Sequence, residues 1–185
     1  MVNDVLEDLE AGMNGAMEAL ARELAKRRTG RANVAMLDGI KVDYYGTLSP
    51  LNQVAAIQVA DPRLITIKPW EKGMVAAIEK VLIQSSLGLN PNSDGELIRI
   101  PIPPLTGERR KELVRDIKRL AEEAKVAVRN QRRDGNEMLK SLEKDKEISE
   151  DDLRRALTQV QEITDRFVAK VDEVVAVKER EILED

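Results

Sequence analysis

Two hydrophobic rhythms divide this chain. Val2, Leu6, Leu9, Met13, Ala16 or Met17, Leu20 and Leu24 recur at spacings of four and three, which predicts an amphipathic helix over 2–28. Gly30 follows as its stop. A second stripe, Leu113, Ile117, Leu120, Ala124, Ala127, Met138 and Leu142, predicts a helix from about Thr106 to about Lys146. Such a helix would be about 60 Å long, too long for one small globule to cover, and its early spacing is that of a coiled-coil seam. A third stripe, Leu153, Leu157, Val160, Ile163, Phe167, Val171 and Val174, follows Ser149, which is placed to cap a helix opened by Glu150, Asp151 and Asp152.

Between the first two stripes the period falls to two. Ile40–Tyr45, Val54–Val59, Leu64–Ile67 and Leu97–Ile102 predict strands, Asp61-Pro-Arg63 and Asn90–Gly95 predict turns, and Gly73–Ser86 predicts a shorter helix. The fold class is therefore α+β. Residues 1–30 and 105–185 should form a long antiparallel three-helix bundle, with a small β-rich α/β domain, 31–104, inserted between its first two helices. The chain crosses at Gly30-Arg31 and again at Pro103-Pro104-Leu105. A double connection of this kind restricts the inserted domain to a hinge-like swing.

Composition narrows the chemistry. The chain has neither Cys nor His, so it lacks a disulfide framework, thiolate metal ligands and the usual general base. It carries no phosphate loop or dinucleotide fingerprint, and its carboxylates fall in no metal or glycosidase motif. The expectation is a protein that is not an enzyme and binds no metal and no cofactor. No apolar run is long enough to span a membrane and the N-terminus does not resemble a targeting peptide, so a cytoplasmic protein is expected.

The net charge of −4 conceals segregation. From Arg109 to Arg133 ten basic residues face four acidic ones, whereas 149–185 holds six basic and eleven acidic. The basic residues of the second helix form a stripe through Lys111, Arg115, Lys118, Glu122, Lys125, Arg129 and Arg132, almost opposite its apolar seam. A solvated helix face is the plain reading of such a run. The cluster Arg129, Arg132, Arg133 points further, because arginine suits bidentate phosphate recognition and acidic partners are scarce along the stripe. Arg28 and Arg31, beside Arg27, add a patch near the hinge. Together these residues suggest a phosphate-backbone partner read by charge and shape, RNA rather than DNA. Tyr44, Tyr45 and Trp70 are expected in the core of the inserted domain, and so few aromatics argue against base stacking as the mode.

The ordered motifs Arg28-Thr-Gly-Arg-Ala32, Val42-Asp-Tyr-Tyr-Gly46, Leu87-Gly-Leu-Asn-Pro91, Arg99-Ile-Pro-Ile-Pro-Pro-Leu-Thr106, Glu108-Arg-Arg-Lys111, Val128-Arg-Asn130, Arg132-Arg-Asp134 and Ile148-Ser-Glu-Asp-Asp152 resemble the ribosome recycling factor family. The resemblance implies an L-shaped molecule of transfer-RNA dimensions. It implies that with elongation factor G, which uses the GTP, the protein splits post-termination ribosomes into subunits and releases messenger and transfer RNA. Arg129, Arg132 and Arg133 would face RNA of the large ribosomal subunit, with Lys125 on the same stripe and Arg28 and Arg31 nearby. The 31–104 domain would be pushed by elongation factor G about Gly30, Arg31, Pro103, Pro104 and Leu105. A coiled-coil adaptor or chaperone, recruiting a protein through the seam, is the competing reading. Three helices in one chain can satisfy one another, so a monomer is expected. Gln131, Gly135 and Gly107 depart from the family pattern and predict a looser middle of the second helix.

Overall fold

The computed structural model describes residues 1–184. In chain order the elements are helix α1 (Val2–Ala25), strands β1 (Lys41–Tyr44) and β2 (Thr47–Pro50), and one turn of helix α2 (Leu51–Val54). Strands β3 (Ala55–Asp61) and β4 (Leu64–Pro69), helix α3 (Val75–Gln84), and strands β5 (Asn92–Ser93) and β6 (Ile98–Pro101) follow. Helices α4 (Gly107–Lys144) and α5 (Glu150–Leu183) complete the chain. It forms two compact units, Met1–Arg28 with Gly107–Glu184, and Thr29–Thr106.

In the helical unit α4 packs against both α1 and α5. The turn between α4 and α5 is built by caps. Lys146 takes φ 61°, and the Glu147 amide donates back to the Leu142 carbonyl at 2.9 Å, ending α4 in the left-handed manner of a C-cap. The Asp152 amide then donates to Ser149 Oγ at 3.1 Å while Asp152 Oδ2 accepts from the Ser149 amide, a reciprocal capping box that starts α5. The core beside this end holds Met13, Val128, Leu139, Val160 and Phe167, each fully buried.

The inner face of α4 differs from the expected seam by one residue from its middle onward. Val128 and Leu139 are fully buried, whereas Ala127 is half-buried and Met138 is 55% exposed. The inward positions run Leu113, Ile117, Leu120, Ala124, then Val128, half-buried Gln131, Gly135, then Leu139 and half-buried Leu142. That spacing of four, three, four repeats every eleven residues, which suits a nearly straight helix of 3.6 residues per turn. A heptad falls behind such a helix by about 20° per repeat, so four heptads displace it by almost one residue.

Large and small residues compensate where α1 crosses this repeat. A Cβ on Gly12 would overlap the side-chain amide of Gln131. A Cβ on buried Gly135 would lie 2.7 Å from Leu9 Cδ1. Gln131 and Gly135, two of the three departures expected to loosen this helix, therefore sit in a matched contact: Gln131 over Gly12, and Leu9 over Gly135.

In the other unit a four-stranded antiparallel sheet has the order β3-β4-β6-β5, beside the separate hairpin β1–β2. The alternation of β4 and β6 buries Ile65, Ile67, Ile98 and Ile100 on one face. With Val42 and Leu51 they pack against Val75, Ile78 and Leu82 of α3. Strands β2 and β5 and helix α2 are additional to the expected elements; Val54 ends α2 instead of opening a strand. Both chain crossings are tied to one turn of this unit. The Ala32 amide donates to the Pro62 carbonyl at 2.7 Å, and the Ile102 amide to the Arg63 carbonyl at 2.8 Å.

The aromatic side chains do not fill the core that the sequence pattern assigns to them. Trp70 is 68% exposed, Tyr45 80% exposed and Tyr44 half-buried. Aliphatic residues and Met74 fill this core, with Tyr44 packed at its edge and Tyr45 and Trp70 left at the surface.

Candidate nucleic-acid interface

The basic residues of α4 fall into three sets according to their angle from the seam. On the flank toward α1, Arg119 binds Asp116 at 2.5 Å and Glu123 at 2.6 Å. Asp116 also accepts from Arg27 Nε of the α1 end at 2.7 Å, and Arg27 Nη1 reaches Glu23 at 2.8 Å. Arg27 retains only 18% of its side-chain exposure. These guanidinium groups, Arg27 first, hold the Asp116 carboxyl below its ordinary pKa. Arg109 binds Glu112 at 3.0 Å on the same side.

On the flank toward α5, Lys125 Nζ lies 2.6 Å from Asp172 and 3.7 Å from Glu122, with 15% of its side chain exposed. The Asp172 carboxylate raises the Lys125 pKa against a smaller cost of burial. Arg132 Nη1 donates to Gln161 Oε1 at 3.4 Å, a weaker contact.

The third set points away from both neighbours. Lys111, Arg115, Lys118, Arg129, Arg133 and Lys140 are exposed, at about 140–200° round the helix from Leu113. Among the described residues none of these six meets a hydrogen-bond or acidic partner within the protein. From Lys111 to Arg133 the row extends about 33 Å along the helix. Glu122 interrupts it.

Two of the expected site residues, Arg129 and Arg133, thus lie on the open back of α4, one turn apart. Lys125 serves as a suture to α5, and Arg132 sits at the edge of that flank with its guanidinium loosely held. Arg28 and Arg31 are exposed on either side of the junction between the units, and both already hold an interaction of their own. Lys111, Arg115 and Lys118, stripe members outside the expected cluster, belong to the open row. The scarcity of acidic partners along the stripe holds within α4 alone and leaves out the acids of α5. Cross-helix partners follow from the turn: in a hairpin reversing at 145–149, position 125 falls opposite about 170 and position 132 opposite about 163.

No group of three or more His, Cys, Asp or Glu among the described residues is placed to hold a metal ion. No helix there is long and apolar enough to cross a membrane.

An exposed row of cations with no partner among the described residues is complementary in charge to a polyanion, the surface expected of a binding factor. The profile of the family described as "Ribosome recycling factor" matches residues 20–183. The chain is 57% identical over 183 residues to the ribosome-recycling factor of Nitratidesulfovibrio vulgaris, covering 99% of this chain and 98% of the relative. It is 54% identical over 184 residues to that of Sorangium cellulosum, with both chains fully covered. A solution structure of a ribosome recycling factor aligns with TM-score 0.77 and 41% identity over 100% of this chain and 98% of that one. A Thermus thermophilus ribosome recycling factor, described with Escherichia coli elongation factor G on the post-termination complex, aligns with TM-score 0.65 and 45% identity over 99% of each chain. The chain belongs to the ribosome recycling factor family. Its members are translation factors that act without enzymatic chemistry or a cofactor of their own.

Proposed function

We propose that this protein binds the post-termination ribosome through the open back of α4 and, with elongation factor G hydrolysing GTP, splits it into subunits. In this reading Arg129 and Arg133 meet the phosphate backbone of large-subunit ribosomal RNA, Arg132 closes the edge of the patch, and Lys111, Arg115 and Lys118 extend it. Carrying the proposal is the observation that, among the described residues, the cations opposite the seam have no partner while those on the flanks are already bonded, Lys125 to Asp172 of α5 and Arg119 to Asp116 and Glu123 of α4 itself. An unpaired guanidinium can exchange water and counterions for phosphate without first breaking an internal ion pair.

The inserted unit would move as one body on the ribosome. Its boundaries at Arg28/Thr29 and Thr106/Gly107 lie next to Gly30, Arg31 and Pro103–Leu105, and Gly30 takes a φ of 78° that favours glycine. The bonds from Ala32 and Ile102 to the Pro62–Arg63 turn leave the short segments 29–31 and 103–106 to absorb a swing. Elongation factor G is the partner expected to drive it. An adaptor that recruits a partner through the seam has lost its surface, because Leu113, Ile117, Val128 and Leu139 are buried within the protein. The protein is expected to work as a monomer in the cytoplasm, where its ribosomes are.

The test is subunit splitting of post-termination ribosomes by this protein with elongation factor G and GTP, followed by light scattering. Splitting is expected with the wild type and strongly reduced splitting with Arg129→Ala/Arg133→Ala. A wild type that neither binds nor splits ribosomes would refute the proposal.

A further inference from the structure

Of the aromatic side chains of the inserted unit, Tyr44 packs at the edge of its core, while Tyr45 and Trp70 lie exposed outside it. The loop of hairpin β1–β2 is Tyr45-Gly46, with φ of 48° and 85°. Asn, Asp and Gly fill such a two-residue turn at least strain, so a tyrosine there is held against its own backbone preference. What holds it is Glu71. Tyr45 Oη donates to Glu71 Oε2 at 2.7 Å, and Tyr44 Oη donates to Oε1 at 2.6 Å. The two rings meet edge to face with centroids 4.7 Å apart. Trp70, next to Glu71 in the chain, lines with Tyr44, Glu71 and Met74 a recess of about 260 Å³. The result is a largely exposed platform in which two tyrosines clasp one carboxylate and Trp70 walls the adjoining recess.

Its electrostatics oppose those of α4. Glu71 stays charged, its pKa lowered by the Tyr44 and Tyr45 hydroxyls. Lys72, the adjacent cation, is bound to Glu96. Aromatic faces beside a carboxylate repel a phosphate backbone and attract a guanidinium or ammonium, which can stack on a ring and pair with the acid. Preorganised exposed Tyr and Trp are also the side chains from which protein-binding hot spots are built. We infer that the Tyr44–Tyr45–Trp70 platform with Glu71 is a docking site for an arginine- or lysine-tipped loop of a protein partner in the recycling reaction. This rests on the function proposed above and assigns a second surface to it, one that reads protein where α4 reads RNA.

Tyr45→Asn and Trp70→Ala test it in the full-length protein, with thermal stability, ribosome binding and splitting measured together. Asn accepts the left-handed turn, so Tyr45→Asn should unfold at the same temperature or higher. Both variants should bind ribosomes like the wild type yet split them at least fivefold more slowly with elongation factor G and GTP. A benzophenone amino acid replacing Tyr45 should cross-link to protein on these complexes, at a segment containing Arg or Lys. Unchanged splitting, a cross-link to RNA, or a splitting loss matched by a stability loss would each overturn the inference. Failure of the wild type to bind ribosomes would instead strike the proposed function, and the two failures are therefore distinguishable.

Discussion

The flanks and the back of α4 carry the same residue types and do different work. On the flanks Arg119 and Lys125 are bonded to acids at 2.5–2.6 Å, Arg119 within α4 and Lys125 across to α5, and Arg27 from the end of α1 joins Asp116 of α4 at 2.7 Å. On the back Arg129 and Arg133 are as charged and entirely open. The contrast shows why a count of basic residues along a helix is a poor guide to what it binds. A cation already paired and partly dehydrated contributes to the fold, and recruiting it to RNA would leave its acid partner uncompensated. One with only water around it is available.

Substitutions on the two sides should therefore separate affinity from stability. The largest effect is expected from Arg129→Ala/Arg133→Ala, a fall in ribosome affinity on the order of a hundredfold, at about 1.5 kcal/mol for each of two charged hydrogen bonds removed. The unfolding midpoint in urea should not move. Arg27→Ala should do the reverse, lowering stability by about 1–2 kcal/mol because the half-buried Asp116 loses its main partner, with ribosome binding little changed. A Gly135→Ala variant, which touches neither set of charges, should lose about 1 kcal/mol. The added Cβ crowds buried Leu9 by more than the gain in helix propensity returns. Gly12→Ala should be nearly neutral, since half-buried Gln131 can swing its amide aside.

Acid sharpens the same contrast. Asp116 titrates below its ordinary value of 3.8 because Arg27 and Arg119 favour its charged form. A depressed folded pKa means that its stabilisation is complete above the ordinary value and is lost as pH falls through the lower folded midpoint. Urea unfolding below about pH 4 should therefore show a smaller loss for Asp116→Asn than for the wild type, from a lower starting stability. Removal of Arg129 and Arg133 should leave this acid limb unaltered.

Much of this arrangement was legible in the chain. The Ser149 cap, the acidic first turn of α5 and the two-residue period of Leu64–Ile67 are local signals, and local signals survive into the structure. The phase of a long helix is not local. Reading α4 as a heptad placed Ala127 and Met138 inward where Val128 and Leu139 belong, and the same slip carried the basic stripe onto Lys125 and Arg132 at the α5 flank. Extended at 3.6 residues per turn, the stripe keeps Arg129 and takes in Arg133, which the expected cluster also contains. The aromatics failed for another reason. Size and hydrophobicity argue for burial of Trp70 and Tyr45, but the isoleucines of β4 and β6 already fill that core, and only three-dimensional volume decides between candidates.

Salt dependence of ribosome binding tests the central claim most directly. Affinity would be measured from low to moderate salt for the wild type, for Arg129→Ala/Arg133→Ala and for Arg119→Ala/Lys125→Ala. Each phosphate that a variant no longer neutralises should lower the slope of log affinity against log salt by about 0.7–0.9. The account predicts a slope reduced by roughly two such steps in the first variant and unchanged in the second. Equal reductions in both, or a reduction confined to the Arg119/Lys125 pair, would contradict it.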